Sequence, residues 1–188
     1  MKTNFIYSVL VLSALFIGFN DSYAYGANQK TIKNLQDAFI GETTASAKYA
    51  AYSKKAKEEG FLRIGLLFEA ASKSESIHAN NHKAVLQQLG GTIPVVNPKF
   101  DVKTTKENLD DALKGESYEV STMYPDFIKQ AQSENSSLAM ISLNYAYQTE
   151  KKHKAMYTDA IESLKNGAEK QMSEIYYIGN ILYMFNLW

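Results

Sequence analysis

Apolar residues recur at three- and four-residue steps in four long stretches between Gln29 and Gly167, the period of a helix face and not the alternation of a strand. The first stretch, Thr31 to Glu59, sets Ile32, Leu35, Phe39, Ser46, Tyr49 and Ala56 on one side, and Gly60 is placed to end it. The second, Phe61 to Leu89, carries Ile64, Phe68, Ala71, Val85 and Leu89 before Gly90-Gly91. The third, Thr105 to Ser133, carries Leu109, Leu113, Val120, Met123 and Phe127, with a bend expected at Pro125. A tight turn at Asn135-Ser136 leads into the fourth, Ser137 to Lys165, where Met140, Leu143, Tyr147, Tyr157, Ile161 and Leu164 share a stripe that Asn166-Gly167 closes. Each stretch spans about 29 residues, or about 43 Å. Pro94 and Pro98 break any helix in the Gly90–Thr104 connection, the long one. The expected fold is all-α: a four-helix bundle with one long crossover between helices 2 and 3.

Such connectivity is the ferritin-like pattern. The stripes also carry charge. Glu42 and Glu116 interrupt the first and third, and Glu-x-x-His steps, Glu75/His78 and Glu150/His153, interrupt the second and fourth. Residues three apart on a helix share a face, so each pair points with its apolar neighbours into the core. The halves echo each other: Glu42 precedes Glu75 by 33 residues and Glu116 precedes Glu150 by 34. Two similar hairpins would therefore bring both pairs to one height.

Ionised carboxylates in a core cost several kcal/mol each. Glu42, Glu75, Glu116, Glu119 and Glu150 together demand compensation by cations. Two divalent ions come within one charge of neutralising them, and two trivalent ions with a bridging oxide or hydroxide do as well, so the set tolerates a redox-active pair. Carboxylates and imidazoles without thiolate fit iron or manganese, with zinc a substitute. Magnesium and calcium do not favour two imidazoles. Iron is the metal expected.

Composition removes other classes. The 188 residues hold 20 Lys+Arg against 20 Asp+Glu and no basic stripe, which argues against nucleic acid. There is no cysteine, hence no disulfide framework, thiolate zinc site or iron–sulfur cluster. Lys2, the apolar run Phe5 to Phe19 and the small-x-small Ser22-Tyr23-Ala24 read as a secretory signal over residues 1–24. Export, to a periplasm, is expected, with a ferritin-like domain over 25–167 and an apolar tail over 168–188 that packs on its own bundle or a partner subunit; membrane contact through it is the lesser alternative.

Several residues admit two readings. His82, one turn beyond His78, is a hydrogen-bonded core histidine, or a donor to a ligand, or an alternative ligand. Tyr49, Tyr124 and Tyr147 pack the core or bond a ligand carboxylate. The Lys54-Lys55 and Lys151-Lys152 pairs read as solvated faces.

The chain resembles the rubrerythrin family. The resemblance rests on Ala38-Phe39-Ile40-Gly41-Glu42 with Ala47-Lys48-Tyr49, on Glu75-Ser76-Ile77-His78, on Gly115-Glu116-Ser117-Tyr118-Glu119 running to Met123-Tyr124-Pro125, and on Glu150-Lys151-Lys152-His153, and it spans about Thr31 to Leu164. It implies a non-haem di-iron centre that reduces hydrogen peroxide to water. By it, Glu75 and Glu150 bridge the irons, Glu42 and Glu116 are terminal ligands, His153 and His78 are imidazole ligands, and His78 exchanges with Glu119 as the oxidation state changes. Rubrerythrins commonly carry a rubredoxin-like domain with four cysteines; this sequence has none, so a separate electron donor is expected. A homodimer is the expected assembly. An iron-oxidising or iron-storing protein and a non-catalytic interaction module are the alternatives.

Overall fold

The structure is a computed structural model that describes residues 28–169 and the backbone of residues 175–178 and 181–184. The expected signal, residues 1–24, and the remaining tail residues lie outside the described residues. Helices α1 (Gln29–Glu58) and α2 (Leu62–Gln88) form one hairpin. The second hairpin pairs α5 (Ser137–Lys165) with a third bundle helix made of α3 (Thr105–Tyr118), a π turn (Glu119–Met123) and α4 (Tyr124–Ser133). α1 packs on α2, α2 on α5, α5 on α3 and α4, and these back on α1, closing a square. The all-α, ferritin-like bundle read from the periodicity is the fold observed.

Gly60, Gly90 and Asn135 take left-handed φ values of 87°, 70° and 54° and end the helices where the sequence places them. The crossover is a strap along α1: Gln36 Nε2 donates to the Thr92 carbonyl at 2.9 Å near one end, and the Tyr52 hydroxyl donates to the Asp101 carbonyl at 3.2 Å near the other. α1 and α2 approach closely because small residues line their seam. Ser46 and Ser72 each donate to the other's carbonyl, at 2.9 and 2.8 Å, and a Cβ on Gly65 would lie 2.6 Å from Lys57 Cγ.

The hairpins cap one another. Glu59, just past α1, accepts from the Thr105 amide at the start of α3 at 2.9 Å. Glu134, just past α4, accepts from the Thr31 amide in the first turn of α1 at 3.0 Å. Each carboxylate meets an orphan donor at the positive end of a helix dipole. These bonds hold Glu59 at about 2, with Thr105 the main cause. Thr104 adds a capping box with Glu107 to α3.

A bend was expected at Pro125. The third helix widens just ahead of it: the Tyr124 amide bonds to the Glu119 carbonyl, five residues back. Proline lacks an amide and its ring crowds the preceding turn, which one extra residue relieves.

Two apolar layers close the bundle. Leu67, Phe68, Leu109 and Tyr157 centre one, and Leu35, Leu86, Tyr124 and Leu143 the other, all fully buried. Between them lies the polar belt. Beyond α5, strands β1 (Ile175–Ile178) and β2 (Ile181–Met184) pair antiparallel, Ile178 opposite Ile181. The period of the four stretches gave no sign of this hairpin. The β1 backbone runs beside α2 and α5. Among the described residues no helix is long and apolar enough to cross a membrane.

Candidate metal centre

Glu42 comes from α1, Glu75 and His78 from α2, Glu116 from α3, and Glu150 and His153 from α5; all six are buried. They converge as two groups that share two members: Glu42, Glu75, His78 and Glu150 in one, Glu116, Glu75, His153 and Glu150 in the other. The shared glutamates each turn one oxygen to each histidine. Glu75 Oε2 and Glu150 Oε1 lie 3.0 and 2.8 Å from His78 Nδ1, and Glu75 Oε1 and Glu150 Oε2 lie 3.1 and 2.9 Å from His153 Nδ1. Glu42 stands 3.8 Å from His78 Nδ1, and Glu116 the same distance from His153 Nδ1.

The donor chemistry fits cations. The oxygens of Glu75 and Glu150 and the Nδ1 atoms of His78 and His153 meet one another at ion-pair distance without forming a hydrogen bond, and Nε2 of both histidines and Oε2 of Glu42 and Glu116 are buried with no hydrogen-bond partner. Buried polar atoms are rarely left so. An ion at each group satisfies carboxylate oxygens and an imidazole lone pair together, which no proton arrangement does for all of them. With no thiolate or amide in either group, the set suits iron or manganese, or zinc in their place.

Protonation shows the same demand. Burial and then Glu75 push Glu42 up to about 8, and burial with Glu150 and Glu119 carries Glu116 well above the carboxylate range. Burial would lift Glu150 too, but His78 and His153 outweigh it and hold it low. Against the effect of burial, Glu75 and Glu150 lift His153 to about 10, and Glu150 lifts His78 well above its ordinary value. Without metal the cluster balances its charge with protons.

Glu119 stands apart. It lies on the π turn, only partly covered, and belongs to neither group. Its carboxyl is nonetheless pushed well up by desolvation and then by Glu42 and Glu150, and it helps in turn to raise Glu116.

The tyrosines divide. The Tyr49 hydroxyl donates to Glu116 Oε1 at 2.9 Å, and the Tyr124 hydroxyl donates to Glu42 Oε1. Tyr147 makes no such bond among the described residues; its ring lies 6.5 Å from that of Tyr124 and carries Lys151 Nζ at 3.9 Å, so Lys151 is more than a solvated charge. Lys54 and Lys55 pair with Glu58 and Glu59 on the surface. His82 is fully buried between Ser142 Oγ at 2.8 Å and the Tyr124 hydroxyl at 3.2 Å, a hydrogen-bonded core histidine and no member of either group.

Ser142 escaped sequence reasoning, because nothing in α5 marks which turn faces His82. The π turn did leave a signal. Glu42 and Tyr49 are seven residues apart, whereas Glu116 and Tyr124, their counterparts, are eight apart.

Fold and site together define a ferritin-like bundle of the carboxylate–histidine class. The chain belongs to the rubrerythrin family, whose model matches residues 33–161. It is 31% identical over 150 residues to Rubrerythrin-2 of Clostridium acetobutylicum, covering 79% of this chain and 82% of that one. It is 37% identical over 136 residues to Nigerythrin of Nitratidesulfovibrio vulgaris, covering 71% and 67%. A fully reduced, all-ferrous structure of nigerythrin superposes with a TM-score of 0.67 at 36% identity, covering 72% of this chain and 67% of that one. A bacterioferritin from Rhodobacter capsulatus reaches 0.69 at 18% identity, covering 77% and 93%, a likeness of fold alone.

Proposed function

We propose that this protein is an exported non-haem di-iron peroxidase that reduces hydrogen peroxide to water with electrons from a separate donor protein. The observation that carries the reading is the pair Glu75 and Glu150, each presenting one oxygen to either histidine. In this reading Glu75 and Glu150 would serve both irons, Glu42 with His78 and Glu116 with His153 would complete the two ends, and manganese or zinc could take the place of iron. When bound, the iron pair supplies the two electrons that the reduction consumes. The chain's own residues do the rest. Tyr124 and Tyr49 hold Glu42 and Glu116 by hydrogen bonds, the apolar layers keep bulk water from the belt, and in this reading Glu119 would exchange with His78 and supply one more negative charge to a more oxidised pair.

The test is anaerobic reduction of the iron-loaded protein followed by one equivalent of peroxide. Rapid oxidation is expected. A two-iron protein that stays ferrous for minutes, yet reacts readily with oxygen, is no peroxidase. The bacterioferritin-like fold keeps a second reading in view, oxidation and storage of iron, which needs a closed shell. A dimer in solution, the assembly proposed, counts against storage; a 12-mer or 24-mer counts for it. Export is checked by N-terminal sequencing of the protein from a periplasmic fraction, with Tyr25 the expected first residue.

A further inference from the structure

His82 is a fully buried ring that the reading above does not use. Its two nitrogens face different partners: Nδ1 lies 2.8 Å from Ser142 Oγ, and Nε2 lies 3.2 Å from the Tyr124 hydroxyl. The Tyr124 hydroxyl in turn donates its hydrogen to Glu42 Oε1. A phenol has one hydrogen. With Glu42 kept ionised by a bound cation and that hydrogen directed to it, Tyr124 meets His82 only as an acceptor, so Nε2 must carry the imidazole hydrogen. Nδ1 is then a bare acceptor, and Ser142 must donate to it. Every direction in the chain Ser142 to His82 to Tyr124 to Glu42 follows from the last one, provided the ring is neutral. Burial, and His78 nearby, lower His82 to about 3, which keeps it so.

We propose that His82 is a positioning residue. As its Nε2–H tautomer, with Nδ1 accepting from Ser142, it fills the acceptor side of the Tyr124 oxygen and commits the phenol hydrogen to Glu42. The opposite tautomer would accept that hydrogen and leave Glu42 Oε1 bare. A hydrogen bond to a ligand carboxylate draws negative charge from it, and a ligand with less charge stabilises the lower oxidation state of its metal. The Glu42–His78 end is thereby held at a higher reduction potential than it would have with a free Glu42. At the other end Tyr49 donates to Glu116 with no such lock: the residue in the place of His82 is Tyr157, whose hydroxyl has no hydrogen-bond partner among the described residues.

The inference rests on the metal-site reading, and its first test needs no turnover. The chain has three histidines, so in the full-length, zinc-loaded, ¹⁵N-histidine protein the resonances missing from His82→Gln are those of His82. The expected pattern is a bare Nδ1 and a protonated Nε2; a protonated Nδ1 with a bare Nε2 overturns the proposal. Ser142→Ala keeps the ring and removes only the donor to Nδ1, so the other tautomer should appear in part. An unchanged spectrum overturns the role given to Ser142.

The second test is the potential of the iron-loaded protein by mediated titration. His82→Leu should lower it, and His82→Gln, whose amide can donate from the place of Nε2, should restore most of the shift. A residue that only filled space would leave the potential where it was, and that result, or a shift that Gln fails to rescue, sinks the idea. Should His82→Leu not fold, Ser142→Ala and His82→Gln carry the same comparison. If the protein proves inert to peroxide while the tautomer and potential behave as stated, the peroxidase reading fails and the positioning role stands.

Discussion

The two ends of the metal centre are built on one plan and differ in what surrounds them. Glu42 and His78 at one end match Glu116 and His153 at the other, and both ends draw on Glu75 and Glu150. Four residues past the histidine stands His82 in one case and Tyr157 in the other; three past the first glutamate stands Glu119 in the second hairpin and Ala45 in the first. The π turn lets Tyr124 reach Glu42 as Tyr49 reaches Glu116, despite the extra residue. Of the two polar additions, His82 acts through Tyr124 on the Glu42–His78 end, while Glu119 is coupled by its field to Glu42 and to Glu116 alike. The Glu42–His78 end thus has a histidine behind its tyrosine, and the Glu116–His153 end has Tyr157 in that place. A common frame fixes the position of a site, and its departures from symmetry assign different work to its parts.

The largest effect is expected where the ends are not separable. Glu150→Ala or Glu75→Ala takes an oxygen from both, so both ions should bind at least ~10²-fold more weakly, beyond the ~10–100-fold typical of groups that merely orient ligands. Equilibrium dialysis with metal counting reads this. Retention of one ion at full affinity would mean that the ends are independent. Glu42→Ala and Glu116→Ala should each lose the ion of one end, leaving about one per chain; loss of both from either variant would show that neither end holds metal alone.

The metal-free protein should respond to pH as a whole. Glu42, Glu116 and Glu119 are raised in the folded state, Glu42 to about 8, and His153 is raised to about 10. From about pH 5 upward through these values the folded chain holds more protons than the unfolded one. Stability should therefore fall as pH rises, by up to ~1.4 kcal/mol per unit for each such group. Glu150, held low, works the other way only as pH falls below the ordinary carboxylate range. Denaturation of chelated protein at several pH values measures the slope, and metal loading should abolish it; a stability that climbs toward pH 9 without metal contradicts the protonation pattern.

Smaller effects separate the tyrosines. Tyr124→Phe removes a bond backed by His82 and should slow peroxide reduction by ~10-fold or more, with Tyr49→Phe nearer the lower end of the range for such groups; equal losses would erase the distinction between the ends. Tyr157→Phe should be neutral or stabilising by up to ~1 kcal/mol, since it removes a buried hydroxyl that has no partner. A marked destabilisation would reveal a partner for that hydroxyl.

Much of this was legible in the residues. Helix limits follow from apolar period and from Gly60, Gly90 and Asn135, because those signals are local. The six converging side chains follow as well, since a three-residue step on an apolar face leaves a Glu and a His no direction but inward. What stayed hidden depends on register between distant helices: Ser142 meets His82 across 60 residues of chain, and no pattern within α2 or α5 states that they share a level. Glu119 was expected as the ligand that exchanges with His78; it belongs to neither converging group, yet it is coupled electrostatically to Glu42 and Glu116. The β hairpin was missed because four-residue strands in an apolar run offer too little alternation to read.

The exchange of end caps between hairpins has a consequence for cooperativity. Glu59 closes the start of α3 and Glu134 the first turn of α1, so either hairpin standing alone exposes an open helix start and strands a carboxylate that has lost its donor. Neither half is a finished unit. Fraying at one pole loosens the opposite partner's first turn, and the bundle should open and close as one body, with no stable half-way form.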